Sequence, residues 1–175
     1  ILSMKLDPAE SVDAPLVFTG YGLHVPDARW HDLEGLNLKG AVAVYMRGGP
    51  SSIPGPLLAH ASYRAERWRA FRRAGAIGMI EIRGAKKGDF WKVSAESRLE
   101  PAIVLDGRQF DEAPGMKVLL YWKADRTAPL FKGTKHRCEE ILAKAEKGER
   151  PPRFTFPCRL RARIASSVRP VECRN

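Results

Sequence analysis

Cysteine is scarce here, with three residues, Cys138, Cys158 and Cys173, none within a few positions of another. That spacing excludes the paired-ligand pattern of a structural zinc site, and the odd count leaves at least one free thiol. Cys138 falls on the apolar face of an expected helix and Cys158 on that of an expected strand, so both read as small buried hydrophobes. Long apolar runs are missing too. The longest are a few residues, far short of the ~20 that carry a helix across a bilayer, and Ile1-Leu2-Ser3-Met4-Lys5-Leu6 lacks the shape of a signal peptide, so no membrane partner is expected. No internal repeat or low-complexity tract occurs. The first residue is not Met and Asn175 ends a strand-like tail, so a piece of a longer protein is expected.

What is present suffices for a core. A chain of 175 residues that is 44% hydrophobic buries roughly 70% of its extended-chain surface as one domain. The net charge of +10 is unevenly placed: residues 60–75 hold five Arg and one Glu, residues 134–175 hold eleven Lys or Arg against five Glu, and the rest is neutral. Such asymmetry bears on partners and solubility rather than on fold.

Residues 15–24 are rich in Val, Phe, Leu and Tyr around Gly20 and Gly22, as in a buried strand that bends or bulges before Pro26 stops it. A loop over 27–40, with one helical turn expected after Asp32, leads to a buried strand at Ala41–Met46 and a proline-rich surface loop at Ser51–Pro56. Ala61, Ala65, Trp68, Phe71 and Ala74 recur at helical spacing, which predicts one amphipathic helix over His60–Ala74 with Arg64, Arg67, Arg69, Arg72 and Arg73 on its outer face and Gly75 as terminator. A strand at Ala76–Ile82 follows, so a parallel crossover fits. Residues 84–97 read as a polar loop carrying Phe90 and Trp91. Pro101–Leu105 and Met116–Trp122 read as further strands. Thr134 is placed to cap a helix buried through Cys138, Ile141, Leu142 and Ala145. Phe154, Phe156, Cys158, Leu160, Ala162 and Ile164 alternate with Arg159, Arg161 and Arg163, which predicts a strand with one basic face.

Gly20-Tyr21-Gly22, a loop containing Trp30 and Asp32, then Leu38-Lys39-Gly40 before a Val-rich strand resembles the start of a protease-associated domain. The form it resembles is the one inserted in zinc-dependent aminopeptidases of the glutamate carboxypeptidase and transferrin receptor superfamily. Arg73-Ala74-Gly75-Ala76-Ile77-Gly78-Met79-Ile80 is similar to that domain's passage from helix through a Gly-Ala pair into a strand. The resemblance covers about residues 14–122, and 134–175 more loosely. Trp30-His31-Asp32-Leu33 stands where the family usually has paired Asp and an aromatic, and Ala41 where a Lys often follows the Gly. The resemblance implies an α/β fold of the swivelling β/β/α type, a mixed and partly barrel-like sheet flanked by two main helices. It further implies residues 1–13 as an N-terminal flank, 14–133 as the domain core, and 134–175 as a helix and strand returning to the parent peptidase. It implies no catalysis within this segment, zinc only in the parent's catalytic domain, partnership with that domain and with a peptide or protein substrate, and an extracellular or periplasmic setting.

The residues themselves offer little catalytic chemistry. His24 and His31 stand seven apart across a proline, with no element to hold them on one face, and His60 and His136 are expected to begin separate helices. All four read as surface or capping residues rather than co-catalytic zinc ligands. Neither Cys138 nor Ser94–Ser97 sits in a glycine-flanked nucleophile elbow. Gly48-Gly49-Pro50 lacks the Gly-Lys-Ser or Gly-Lys-Thr of a phosphate loop and reads as a turn; Asp111-Glu112 reads as solvated loop. Trp68 belongs to a core stripe, whereas Trp30, Arg47, Phe90 and Trp91 are the candidate partner or substrate contacts. The arginine-bearing helix and strand faces motivate an alternative, a basic module binding nucleic acid or another acidic polymer. Acidic residues elsewhere in the fold, or a partner domain, would neutralise those faces, and nucleic acid is the less favoured partner.

Overall fold

Strand formation begins at the first apolar alternation, Val12–Phe18 (β1), in a computed structural model that describes residues 11–84, 103, 105, 107, 111–163 and 169–172. His24–Val25 (β2) and Trp30–His31 (β3) form a separate two-stranded ribbon. Val42–Met46 (β4), Gly78–Arg83 (β5), Val118–Lys123 (β6) and Phe154–Ala162 (β7) join β1 in a five-stranded sheet of order β6-β5-β4-β1-β7. The β1, β4, β5 and β6 strands run parallel, and β7 closes one edge antiparallel to β1. The fold is therefore α/β with a mixed sheet.

A parallel ladder must be covered on both faces, which is why its strands read as continuous apolar runs. One face is packed by the short helix Ala128–Phe131 (α3) and by Cys138–Glu146 (α4), which bring Leu130, Phe131, Cys138 and Ile141 onto Leu16, Phe18, Val44, Ile80 and Val118. The opposite face is packed by Arg64–Arg73 (α2), whose Trp68 and Phe71 are fully buried against Ala43, Tyr45 and Met79. Trp68 Nε1 donates to the Pro114 carbonyl at 3.1 Å, so the polar edge of this buried ring is satisfied.

Several expectations are corrected. The helix expected over His60–Ala74 is two helices, Gly55–Ser62 (α1) and α2, separated at Tyr63, whose ψ of 136° is extended. His60 therefore lies within α1 rather than at a helix start, and the surface loop ends at Pro54, with Ile53 buried. The helical turn expected after Asp32 lies before it, at Pro26–Ala28. Thr134 does not cap α4, which starts four residues later; its hydroxyl instead donates to a nearby backbone carbonyl. The irregularity expected around Gly20 and Gly22 sits earlier in β1, where the pairing with β7 shifts between Pro15 and Val17. Pro15 and Pro157 both fall in that stretch and neither has an N–H for the ladder. Of the strand expected at Pro101–Leu105, only Ile103 and Leu105 are described, and both are exposed.

The segments that carry the family resemblance meet in space. Gly40 N–H donates to the Gly75 carbonyl and Ile77 N–H to the Ala41 carbonyl, both at 2.9 Å. Gly75 has φ +92°, and a Cβ there would stand 2.9 Å from the Lys39 Cα. On β7, Arg159 and Arg161 share Asp13 of β1, at 2.7 and 3.1 Å, so an acid within the fold answers two of the three arginines.

Gly78 of β5 has no room for a side chain, since a Cβ there would lie 2.6 Å from the Val118 carbonyl oxygen. Gly78→Ala should destabilise by about 1–3 kcal/mol through forced separation of β5 and β6. Gly55→Ala, at a helical position with nothing among the described residues within 4 Å, should stay neutral or gain about 0.4–1 kcal/mol. Urea unfolding of both variants checks this, and equal midpoints would contradict it.

Candidate binding groove

The groove is built by the β2–β3 ribbon leaning toward α1 and α2. Four residues, Pro26 to Arg29, connect the two strands: a turn of 3-10 helix followed by Arg29 at φ 51°, a loop length that returns the chain antiparallel. The pairing places His24 opposite His31 and Val25 opposite Trp30. This overturns the expectation that nothing holds the two histidines together: their Nδ1 atoms are 3.3 Å apart and their rings 5.1 Å. A hydrogen bond at that distance needs one Nδ1 to carry the proton and the other to accept it.

The ribbon is anchored by Asp32, which is fully buried. Its Oδ2 accepts the Leu23 N–H at 3.1 Å, and Oδ1 lies 3.7 Å from Arg150 Nε. Arg150 stacks 4.2 Å over the ring of Trp30. Arg153 donates to the carbonyls of His31, Asp32 and Glu34, reaching Glu34 O at 2.7 Å. Trp30, a candidate contact from sequence, is thus half-buried on its own domain.

Two adjoining cavities result. One, of about 480 Å³, is lined by His24, His31, Leu33, Glu34, Ala70 and Arg73. The other, of about 200 Å³, shares His24, Ala70 and Arg73 and adds His60, Asp27 and Arg67 among others. His24, His31 and His60 therefore border one continuous groove along α2, whereas His136 lies apart, its ring 4.6 Å from that of Phe154. Among the described residues the groove's lining carries imidazole, guanidinium and carboxylate groups with apolar patches but no hydroxyl or thiol nucleophile. Among the described residues no three His, Cys, Asp or Glu side chains group to hold a metal ion. Nor is any described helix long and apolar enough to cross a membrane.

Neither the protein-family models nor the curated proteins contain a match to this chain.

Arg67 was expected on the solvent face of α2 and is instead buried, 4% exposed. Its guanidinium lies 4.4 Å over the Tyr45 ring and Nη1 donates to the Ser62 carbonyl at 2.9 Å. Its one sequence signal is the four-residue spacing to Phe71, which puts both on one side of α2. Arg47 stands exposed at the end of β4, its N–H bonded to Ile82 O at 3.2 Å, beside the paired Arg83 and Lys123 at the ends of β5 and β6. Ligands of α/β sheets commonly gather at that edge. Phe90, Trp91, Ser94–Ser97 and Cys173 lie outside the described residues.

The remaining candidates have structural roles. Burial pushes the Cys138 thiol up, which disfavours the nucleophilic thiolate. Asp111 accepts from the Ala113 N–H at 2.9 Å and Glu112 from the Tyr63 hydroxyl at 2.9 Å. Gly48 adopts φ +121°, and a turn closes just beyond it, where the Ile53 N–H donates to the Pro50 carbonyl at 3.3 Å.

Burial raises the Asp32 carboxyl above its ordinary 3.8, against the lowering pull of the Leu23 N–H and of Arg150 and Arg153. A carboxyl raised on folding binds its proton more tightly in the native state. Its contribution is therefore full below 3.8 and lost as pH rises through the native value. The stability of the wild type relative to Asp32→Asn should fall as pH increases across that window, measured by urea unfolding at a series of pH values. A relative stability that rises with pH would contradict the assignment.

Proposed function

We propose that this chain is a noncatalytic binding module of the protease-associated type, in its partly barrel-like, swivelling form, belonging to a zinc-dependent aminopeptidase. Its partners would be the catalytic domain of the same parent chain and a peptide or protein substrate, in an extracellular or periplasmic setting. The observation that carries this reading is the interlock of Leu38-Lys39-Gly40 with Gly75-Ala76-Ile77. The two stretches that resemble the family are not scattered likenesses but opposite sides of one close backbone contact, with no room for a side chain at Gly75. The groove supports the binding part, being concave, mixed in polarity and bordered by paired histidines.

The basic-polymer alternative draws less support. Arg159 and Arg161 share Asp13, Arg69 pairs with Glu66, Lys123 pairs with Asp125 at 2.9 Å, and Arg67 is buried. These pairings break up the continuous cationic track that a phosphate backbone would follow.

The purified chain supplied with zinc should not hydrolyse aminoacyl reporter substrates above a zinc-only blank. It should bind members of a defined peptide pool, and Ala70→Trp, which fills the point shared by both cavities, should weaken that binding by about tenfold or more. Turnover would overturn the noncatalytic reading. Unchanged peptide affinity in Ala70→Trp would remove the groove as its site. Salt-dependent binding to a mixed-sequence duplex, in place of peptide, would establish the alternative.

A further inference from the structure

The hairpin sets two imidazoles in a relation that their spacing in the sequence does not require. His24 and His31 are opposed across β2 and β3, and each turns the same ring nitrogen, Nδ1, toward the other at 3.3 Å. Two nitrogens bound to one tetrahedral ion at ~2.0–2.1 Å lie about 3.3–3.4 Å apart, so the same separation suits a metal ion as well as a shared proton. The ring centres are 5.1 Å apart, closer than a head-on meeting of the two nitrogens allows, so the rings are not aimed straight at each other. A bridging ion needs that bend, because it sits off the line joining its two ligands.

The backbone behind both rings is held on either side. Val25 pairs with Trp30 toward the turn; away from it, the Asp32 N–H donates to the Leu23 carbonyl at 2.9 Å and the Leu23 N–H donates to the Asp32 carboxylate at 3.1 Å. Arg153 Nη1 donates to the His31 carbonyl at 3.3 Å. Two ligands fixed on a pinned ribbon act as a chelate, the second adding at high effective concentration once the first is bound. His24 is exposed, His31 is half-buried, and both border the cavity of about 480 Å³. Glu34 and Arg73 also border it, so with the histidines neutral a cation meets no net charge there.

Imidazole suits Zn²⁺, Ni²⁺ and Cu²⁺, whereas Mg²⁺ and Ca²⁺ take oxygen ligands. We propose that His24 and His31 chelate a divalent ion of the imidazole-preferring class through both Nδ1 atoms. No third His, Cys, Asp or Glu side chain groups with them among the described residues, so the ion keeps positions for water or for a ligand in the cleft. Binding relocates the shared proton rather than releasing it: the ring that carried Nδ1–H takes its proton on Nε2 through solvent, and both rings end as Nε2–H tautomers. The site stands independently of the protease-associated reading.

The test titrates the purified chain with zinc chloride up to about 1 mM, with magnesium chloride as control, following the ring nitrogens of all four histidines by proton–nitrogen correlation NMR. Zn²⁺ should shift His24 and His31 together and saturably, leave both as Nε2–H tautomers, and be removed by EDTA; Mg²⁺ should move neither. His24→Ala and His31→Ala should each weaken Zn²⁺ binding by about tenfold or more, whereas His136→Ala should leave it unchanged. The wild-type spectra decide the matter should a ribbon variant not fold. Equal affinity in His24→Ala and the wild type, a response centred on His60 or His136, an equal response to Mg²⁺, or no saturation would each overturn the proposal.

Discussion

The structure depends on covering a four-strand parallel ladder on both faces while polar side chains enter the face under α2 toward the strand ends. The progression can be followed in register along the face under α2. Ala43 and Met79 pair with Leu119 as an apolar row; two residues on, Tyr45, Glu81 and Tyr121 form an amphipathic row; beyond it stand Arg47, Arg83 and Lys123. Parallel strands expose their ends together, so a polarity gradient along one strand becomes a gradient for the whole sheet. The α2 helix packs both Phe71, 5.7 Å between ring centres, and Arg67, at 4.4 Å, on Tyr45, with Trp68 in the same apolar cluster.

Within that gradient the buried charges are sorted by geometry. Burial, with Glu81 beside it, pushes the Tyr45 hydroxyl well up, so it remains a donor, and it is bonded to Glu81. Arg83 takes the other Glu81 oxygen and stacks 4.3 Å over Tyr121. An arginine over an aromatic face gains cation–π attraction without consuming its in-plane donors. Arg67 is held in the same way, by the Tyr45 ring and the Ser62 carbonyl.

Much of this was legible in the sequence because it rests on hydrophobic pattern. The runs at Ala41–Met46, Ala76–Ile82 and Met116–Trp122 match β4, β5 and β6 to within two residues, and the alternation from Phe154 matches β7. The helix break at Tyr63 was not legible, because an extended ψ there carries neither a Gly nor a Pro signal. Nor was Arg67: pattern reading assigns arginine to solvent, whereas a ring and a carbonyl from other parts of the fold bury it. The His24–His31 pair was hidden by reading Pro26 only as a strand stop. Proline also opens turns, and the four residues between Val25 and Trp30 have the length of a hairpin loop.

That hairpin decides how the groove's chemistry should be understood. In a neutral pair sharing one Nδ1–H, the donor ring is left with an unprotonated Nε2 and the acceptor ring with an Nε2–H. The pair thus offers one acceptor and one donor to its surroundings. Holding Nδ1 in a hydrogen bond fixes which tautomer each ring adopts and how it is oriented. Here each ring's tautomer is tied to its neighbour across a 3.3 Å contact, on a ribbon pinned by buried Asp32 through the Leu23 N–H. A hydrogen-bonded imidazole pair beside a cleft with apolar patches suits the peptide recognition proposed above.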